Sequence, residues 1–292
     1  MGKIIGVVAA DRIAAGLVKG NRVVGAMRIY PEPASETEGL HGIPADEIAA
    51  LIRRQIELLA GGETVDAVGI GFAGVIREGL IEESPNLQQA KGFRLKDALS
   101  EASQAVLILN DADAMAAGIA ATEGTLESVI RVWTLGEGIG FRRYPQTEGI
   151  WEGGHIVVTL DPKEKYCGCG GVGHLEGIMG HAAMRRRFLD LEPDEVFEAA
   201  RKGDARCSAF VKIWHRALAA ATATSVHLDG PGKFYITGMN ARFADIGRLN
   251  LDLQEMVRMS SLQGTVFELM PTNEEIAVVG AGVSADRARF AL

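Results

Sequence analysis

The sequence predicts an α/β fold of two related halves, and three features carry that expectation. Nearly continuous apolar runs at Lys3 to Ala9, Val65 to Phe72 and Ala105 to Leu109 read as strands buried on both faces. Helical patterns alternate with them, as a mostly parallel sheet requires. A strand, a glycine turn and a second strand follow one another near residue 4 and again near residue 130, which points to a duplicated architecture with a cleft between halves.

The opening strand, Lys3 to Ala9, leads into a hairpin with arms Ile13 to Val18 and Arg22 to Arg28 around Lys19-Gly20-Asn21. An amphipathic helix comes next. Asp46 and Glu47 favour its first turn, Ile48, Leu51, Ile52, Ile56 and Leu59 make one apolar stripe, and Gly61-Gly62 stop it. Val65 to Phe72, bounded by Gly74, is the next buried strand. Ala105 to Leu109 ends in Asn110-Asp111, where an alanine-rich helix begins that runs to Thr122-Glu123-Gly124. The second round places strands at Val129 to Leu135 and Ile156 to Leu160, with the turn Gly136-Glu137-Gly138-Ile139-Gly140 between them. Helices follow, the longest Ala209 to Val226, then a strand Lys233 to Thr237, a turn Gly238-Met239-Asn240, and a segment Ala277 to Ala281 leading into a C-terminal helix.

At 292 residues with 47% hydrophobic content the chain is long enough for two globular domains. Thirty basic against 38 acidic side chains give a net charge of −8, which argues against a nucleic-acid partner. With only three cysteines a disulfide framework is not expected, and a reducing compartment is. The first apolar run is too short for a signal peptide and meets Asp11 and Arg12 at once, so neither export nor a membrane segment is expected and the location is cytoplasmic.

One stretch concentrates metal-ligand chemistry. His155, Cys167, Cys169 and His174 fall within 20 residues of a glycine-rich segment, flanked by Glu152 and Glu176. Four nitrogen and sulfur donors suit tetrahedral zinc, and Cys-x-Cys with Cys-x4-His lets one loop wrap the ion. A closed set of four protein ligands leaves no water position, so the metal is structural. The plainer alternative is a few unrelated buried cysteines and surface histidines.

Three segments then resemble the ROK family (repressors, open reading frames, kinases). Gly69-Ile70-Gly71-Phe72-Ala73-Gly74-Val75 with Ser84-Pro85-Asn86-Leu87 is similar to its GIGxPG and PNL segments. Leu109-Asn110-Asp111-Ala112-Asp113-Ala114 resembles its NDxNA element. Glu152-Gly153-Gly154-His155 through Cys167-Gly168-Cys169-Gly170-Gly171-Val172-Gly173-His174-Leu175-Glu176 resembles GExGH…CxCGxxGCxE, with His174 where the family usually has cysteine. The resemblance implies an actin/hexokinase-like (ribonuclease-H-like) two-domain α/β fold with a central cleft. Its domains would be 1–112, with the helix 280–292 packed on it, and 113–279 carrying the zinc loop. It also implies a sugar kinase acting on glucose or a related hexose with Mg-ATP, and a homodimer. Asp111 would be the general base, Asn110, Glu152, His155 and Glu176 would bind the other hydroxyls, and Gly136, Gly138 and Gly238 would face the nucleotide.

General chemistry agrees with a carboxylate at a strand end acting on a hydroxyl, while the same position is also a common helix N-cap. Glu152 and Glu176 have the alternative reading of solvated loop charges. The nucleotide side departs from the family. Its DxGGT loop is replaced by Val7-Val8-Ala9-Ala10-Asp11, and GTGIG by Gly136-Glu137-Gly138-Ile139-Gly140. Valine binds no hydrated cation, alanine restricts the positive φ that glycine permits, and Asp11 and Glu137 bring negative charge towards phosphate. Like charges about 4 Å apart repel by about 1 kcal/mol in water and more when partly buried. Glu137 could instead turn outward or meet Arg12, Arg142 or Arg143. The segment between Gly140 and Glu152 is also shorter than the family's, so a covering hairpin should be reduced. Two expectations stand: an active sugar kinase, or a sugar-binding pseudokinase that has lost ATP. A DNA-binding repressor would carry a helix-turn-helix ahead of the first strand and is not expected.

Overall fold

The computed structural model describes residues 2–32, 39–147, 152–258, 267–271 and 273–290. β1 (Lys3–Ala9), β2 (Ile13–Val18) and β3 (Val23–Tyr30) are followed by α1 (Ala45–Ala60), β4 (Val65–Phe72), the hairpin β5 (Val75–Arg77) and β6 (Leu80–Glu83), α2 (Leu95–Ala98), β7 (Ala105–Asn110) and α3 (Asp111–Thr122). Then come β8 (Ile130–Leu135), β9 (Ile139–Tyr144), α4 (Leu175–Met179), α5 (His181–Arg187), α6 (Pro193–Arg201), α7 (Ala205–Asp229), β10 (Lys233–Thr237), α8 (Ile246–Met256), β11 (Phe267–Leu269) and α9 (Glu274–Ala288). Two compact units result, Met1–Ser128 with Tyr144–Gln146 and Asn273–Leu292, and Val129–Arg143 with Thr147–Thr272.

The first unit is built on a sheet of order β3-β2-β1-β4-β7, with β1 antiparallel to β2 and parallel to β4, and β4 parallel to β7. Side-chain alternation along β1 decides its packing. Ile5, Val7 and Ala9 join Ile48, Ile52 and Ile56 of α1, whereas Val8 joins Ala14, Val278 and Val279 on the α9 side. Each fully buried aliphatic side chain of this kind contributes roughly 1.5–3 kcal/mol. α9 approaches backbone to backbone. A methyl group at Gly69 of β4 would collide with the Ala281 carbonyl, and one at Gly280 with the Ala114 carbonyl of α3.

That packing moves the domain boundary. Placed after residue 112 by the sequence, it falls after Ser128, because α3 is sandwiched with α9 on the first sheet. The C-terminal helix starts at Glu274 rather than at residue 280, and the run Ala277 to Ala281 lies inside it. Residues 291 and 292 of the expected helix lie outside the described residues.

The second unit has a sheet of order β11-β10-β8-β9, with β8 parallel to β10 and β10 parallel to β11. Read from its other edge, β9-β8-β10-β11 repeats β2-β1-β4-β7, the duplication the sequence suggested; among the described residues no strand corresponds to β3. Part of the shortened segment, residues 148–151, lies outside the described residues. α7 supplies Trp214, Leu218 and Thr222 to the core, where the Trp133 indole N–H donates to Thr222 Oγ1 at 3.0 Å.

Two local expectations are corrected. Ile156 to Leu160 is not a strand: Val157 makes a single bridge to His174, and Val157 and Leu160 are 53% and 91% exposed. Those residues wrap a loop instead, with Val158 N–H donating to Gly173 O and Leu175 N–H to Ile156 O. The glycine turn is also tighter than read, since Ile139 and Gly140 already belong to β9. Among the described residues no helix is long and apolar enough to cross a membrane.

Candidate metal and substrate site

In the second unit the four candidate ligands converge. His155 closes a one-turn helix at Gly153–His155, Cys167 and Cys169 lie in the following loop, and His174 precedes α4 as its N-cap residue. Their donor atoms all lie within 4.8 Å of one another. Cys167 Sγ and Cys169 Sγ are 3.3 Å apart, and the two histidine Nδ1 atoms are 3.2 Å apart. The sulfur-to-nitrogen separations are 3.6 Å for Cys167 to His155, 3.5 Å for Cys169 to His155 and 3.3 Å for Cys169 to His174. Zinc bonds of about 2.0 Å to nitrogen and about 2.3 Å to sulfur require tetrahedral edges of about 3.3–3.8 Å, so these residues fit the ion. Burial, with smaller contributions from Cys169 and the Glu176 charge, pushes the Cys167 thiol up to about 12. A divalent cation would reverse that preference by stabilising the thiolate.

With Nδ1 facing the other ligands, His155 turns Nε2 towards Glu152, whose Oε2 lies 3.8 Å away. Glu176, on α4, has both oxygens engaged. Oε2 accepts from the Ile139 N–H at 3.0 Å, and Oε1 accepts from the Cys167 thiol at 3.4 Å.

The turn before β9 is held from several sides. Gly136 N–H donates to Gly138 O, His181 N–H and Asn240 Nδ2 both donate to Gly136 O, and His181 Nδ1 pairs with Asn240 Oδ1 at 3.1 Å. A side chain at Gly138 would strike the Glu176 carboxylate. Gly238 sits at φ +97°, where a Cβ would meet the Leu135 backbone. Sequence reasoning missed His181 and read Asn240 only as part of the Gly238-Met239-Asn240 turn; each lies within two residues of a glycine, Gly180 and Gly238. Glu137 is exposed, and among the described residues no ion pair neutralises it. Arg143 pairs instead with Asp229, and Arg12 belongs to the first unit, where it grips Glu274 through two hydrogen bonds.

In the first unit Asn110 ends β7 and caps α3. Its Oδ1 accepts from the N–H groups of Ala112 and Asp113 at 2.9 and 3.3 Å, and its Nδ2 donates to Gly74 O at 2.7 Å. The N-cap is therefore Asn110, and Asp111 is the first helical residue, where the helix dipole favours a carboxylate. Asp113 accepts from Gln146 Nε2 at 3.0 Å. At the β1–β2 turn Val7 is wholly buried, neither Ala9 nor Ala10 has positive φ, and Asp11 Oδ1 lies 3.3 Å from His41 Nε2. A valine in an apolar cluster does not fit a magnesium ligand.

The ROK family model matches residues 6–243. A glucokinase of Pyrobaculum calidifontis is 29% identical over 62% of this chain; the match spans 65% of that relative, just under two thirds of its length. An N-acetylmannosamine kinase of Haemophilus influenzae is also 29% identical, over 75% of this chain and 74% of its own. Among solved structures, a ROK hexokinase from Thermus thermophilus superposes with a TM-score of 0.77 at 24% identity, covering 99% of this chain and 100% of that one. That likeness gives the fold, which is actin/hexokinase-like.

Proposed function

The chain belongs to the ROK family, and on that premise we propose that it is a sugar kinase transferring the γ-phosphate of ATP to a hydroxyl of glucose or a related hexose. Asp111 serves as general base, taking the hydroxyl proton as the oxygen attacks phosphorus. Asn110, through the amide N–H not given to Gly74, together with Glu152 and His155 Nε2, hydrogen-bonds the remaining hydroxyls. Glu176 joins that set: each of its oxygens accepts one hydrogen bond, from the Ile139 N–H and the Cys167 thiol, and keeps a lone pair for a sugar hydroxyl. Zinc, held by His155, Cys167, Cys169 and His174, clamps the sugar loop as a structural ion. Gly136, Gly138 and Gly238 face the nucleotide. A homodimer in the cytoplasm belongs to the same reading, its assembly checked by light scattering.

The observation that carries this reading is the division of labour at the start of α3: capping falls to Asn110, so the helix does not call for the neighbouring aspartate as its cap. Asp111→Asn should cut phosphorylation about 10²- to 10⁴-fold while leaving glucose affinity nearly unchanged. Undiminished turnover in that variant would remove Asp111 from the chemistry.

A second reading is favoured by Val7, fully buried where the family's magnesium-organising aspartate stands, and by the exposed charge of Glu137 in the other phosphate turn. In it the protein binds sugar without turning over ATP. Calorimetric titration of glucose and of Mg-ATP, separately, into zinc-loaded protein separates the two: heat from both selects the kinase, and heat from glucose alone selects the pseudokinase.

A further inference from the structure

We infer that His181 is a positioning residue for the phosphate donor: through Asn240 it ties the Gly136-Glu137-Gly138 turn to the Gly238-Met239-Asn240 turn, a role that presumes the donor-facing reading of both turns.

The sheet sets the two turns side by side. β8 and β10 are adjacent parallel strands with Thr134 opposite Thr237, so both turns leave from the carboxyl end of the sheet, where open α/β sheets bind ligands. Gly238 lets them approach, since a Cβ there would lie 2.4 Å from Leu135 O. Glycine at 136 and 138 leaves the first turn few side chains with which to hold itself. The hold comes from two residues the proposed chemistry does not use. Asn240 is wholly buried and His181 is 6% exposed, the latter between the apolar runs Ile178-Met179 and Ala182-Ala183-Met184. Polar groups in such surroundings are costly unless they are hydrogen-bonded.

Their bonds form a chain with a fixed direction. Asn240 Nδ2 donates to Gly136 O at 3.1 Å and the His181 N–H donates to the same oxygen at 3.0 Å, which uses both of its lone pairs. A carbonyl only accepts, so the Nδ2 end of Asn240 is settled there and Oδ1 faces His181 Nδ1 at 3.1 Å. Nδ1 must then carry a proton and donate it. The imidazole orients the amide, and the amide holds the carbonyl. Gly136 O is thereby kept from presenting an acceptor to an anionic donor. Among the described residues the N–H groups of Glu137 and Gly138 find no acceptor, which leaves them for phosphate oxygens. Without the imidazole N–H, Asn240 Oδ1 would be a buried acceptor with no donor, and the amide would lose its orientation.

Calorimetry and hydrogen–deuterium exchange on zinc-loaded protein test the tie, with α7 as reference for global stability. In His181→Phe, which keeps a ring and loses the N–H, Mg-ATP affinity should fall about tenfold, with glucose affinity within about twofold of the wild type. Exchange should quicken severalfold at Gly136 and Ala241, whose N–H groups are bonded inside their own turns to Gly138 O and Gly238 O, with α7 unchanged. His181→Asn sets an amide N–H in the place of Nδ1 and should recover most of both losses, whereas His181→Gln, which mimics Nε2, should not. Nitrogen-15 spectra of labelled histidine should show the His181 proton on Nδ1. Wild-type Mg-ATP affinity and exchange in His181→Phe overturn the inference, as does an Nδ1 without a proton. Equal losses of glucose and Mg-ATP affinity in both His181→Phe and His181→Asn, with α7 exchange raised, overturn it too, because the pair would then serve folding alone. Absence of heat from Mg-ATP in the wild type overturns the donor-facing reading and the positioning role with it, while the tie itself stands or falls on exchange at Gly136 and Ala241.

Discussion

Replacing His174 by alanine removes one of four donors from the quartet, and its consequence can be worked from the geometry. The three donors that remain, on Cys167, Cys169 and His155, keep separations of 3.3, 3.5 and 3.6 Å, so one face of the tetrahedron survives and a water molecule completes it. Structural zinc binding is worth about 10–16 kcal/mol over four ligands, so one ligand carries about 3–4 kcal/mol, a weakening of roughly 10²- to 10³-fold. The loop itself should persist, because the bridge between Val157 and His174 and the bond from Leu175 N–H to Ile156 O are made by the backbone. Competition against a chromogenic chelator measures the affinity, and elemental analysis after dialysis measures occupancy. His174→Cys, which supplies the thiolate seen at this position in the resembled family, should stay within about tenfold of the wild type, because a thiolate serves zinc as well as an imidazole. Cys207→Ala, at a cysteine buried in α7, is the control and should leave zinc untouched. Wild-type zinc affinity in His174→Ala would refute the ligand assignment.

Val7→Asp, which restores the family's residue at this position, should destabilise the protein by about 3–5 kcal/mol, because the carboxylate would enter the apolar cluster of Ile5, Ile13 and Ile48 unpaired. Thermal denaturation should show the midpoint falling by roughly 10 °C, and calorimetry no gain of Mg-ATP binding; a variant of wild-type stability that binds Mg-ATP more tightly would contradict that placement of residue 7. Burial lowers the pKa of His215, whose Nδ1–H donates to Val211 O at 2.8 Å and whose Nε2 accepts from the Asp245 N–H at 2.9 Å, among the charges of Asp245, Asp252 and Arg248. Because the folded value is depressed, the contribution of His215 is complete above the unfolded value of about 6.5 and shrinks as pH falls below it, when only the unfolded chain takes up the proton. Urea midpoints from pH 8 to 5 should therefore fall less steeply in His215→Leu than in the wild type, and parallel curves would sink the assignment. The same variant should be less stable at pH 8 by about 1–3 kcal/mol, having orphaned the Asp245 N–H.

Much of the site was legible because its chemistry is local. The quartet spans one loop, and cysteine and histidine at those spacings have few other uses; the strands β1, β2, β4, β7, β8 and β10 are equally local, being β-branched and buried. Where the reading failed, the deciding partner was distant. Ile156 to Leu160 has the composition of a strand, yet its hydrogen bonds go to Gly173 and from Leu175, so it becomes the wall of a loop. β9 was hidden because it starts inside the glycine turn and carries Arg142 and Arg143, which blur its alternation. Ala277 to Ala281 reads like a strand because α9 is buried on almost every side and so lacks an amphipathic stripe. The carboxylate of Glu176 was visible, but its partner is a backbone N–H 37 residues away, which no pattern announces.

The seating of α9 on Gly69 of β4 and, through its own Gly280, on α3 has a consequence for biosynthesis. The ribosome delivers β1, β4 and α3 ahead of the second unit, yet the helix that closes their shared seam emerges only after that unit has been translated. Until then the nascent first unit presents Val8, Ala14 and Gly69 to solvent, a surface that invites holdase chaperones and punishes premature termination. Loss of α9 is thereby a defect of the first unit, although the second unit lies between them in the chain.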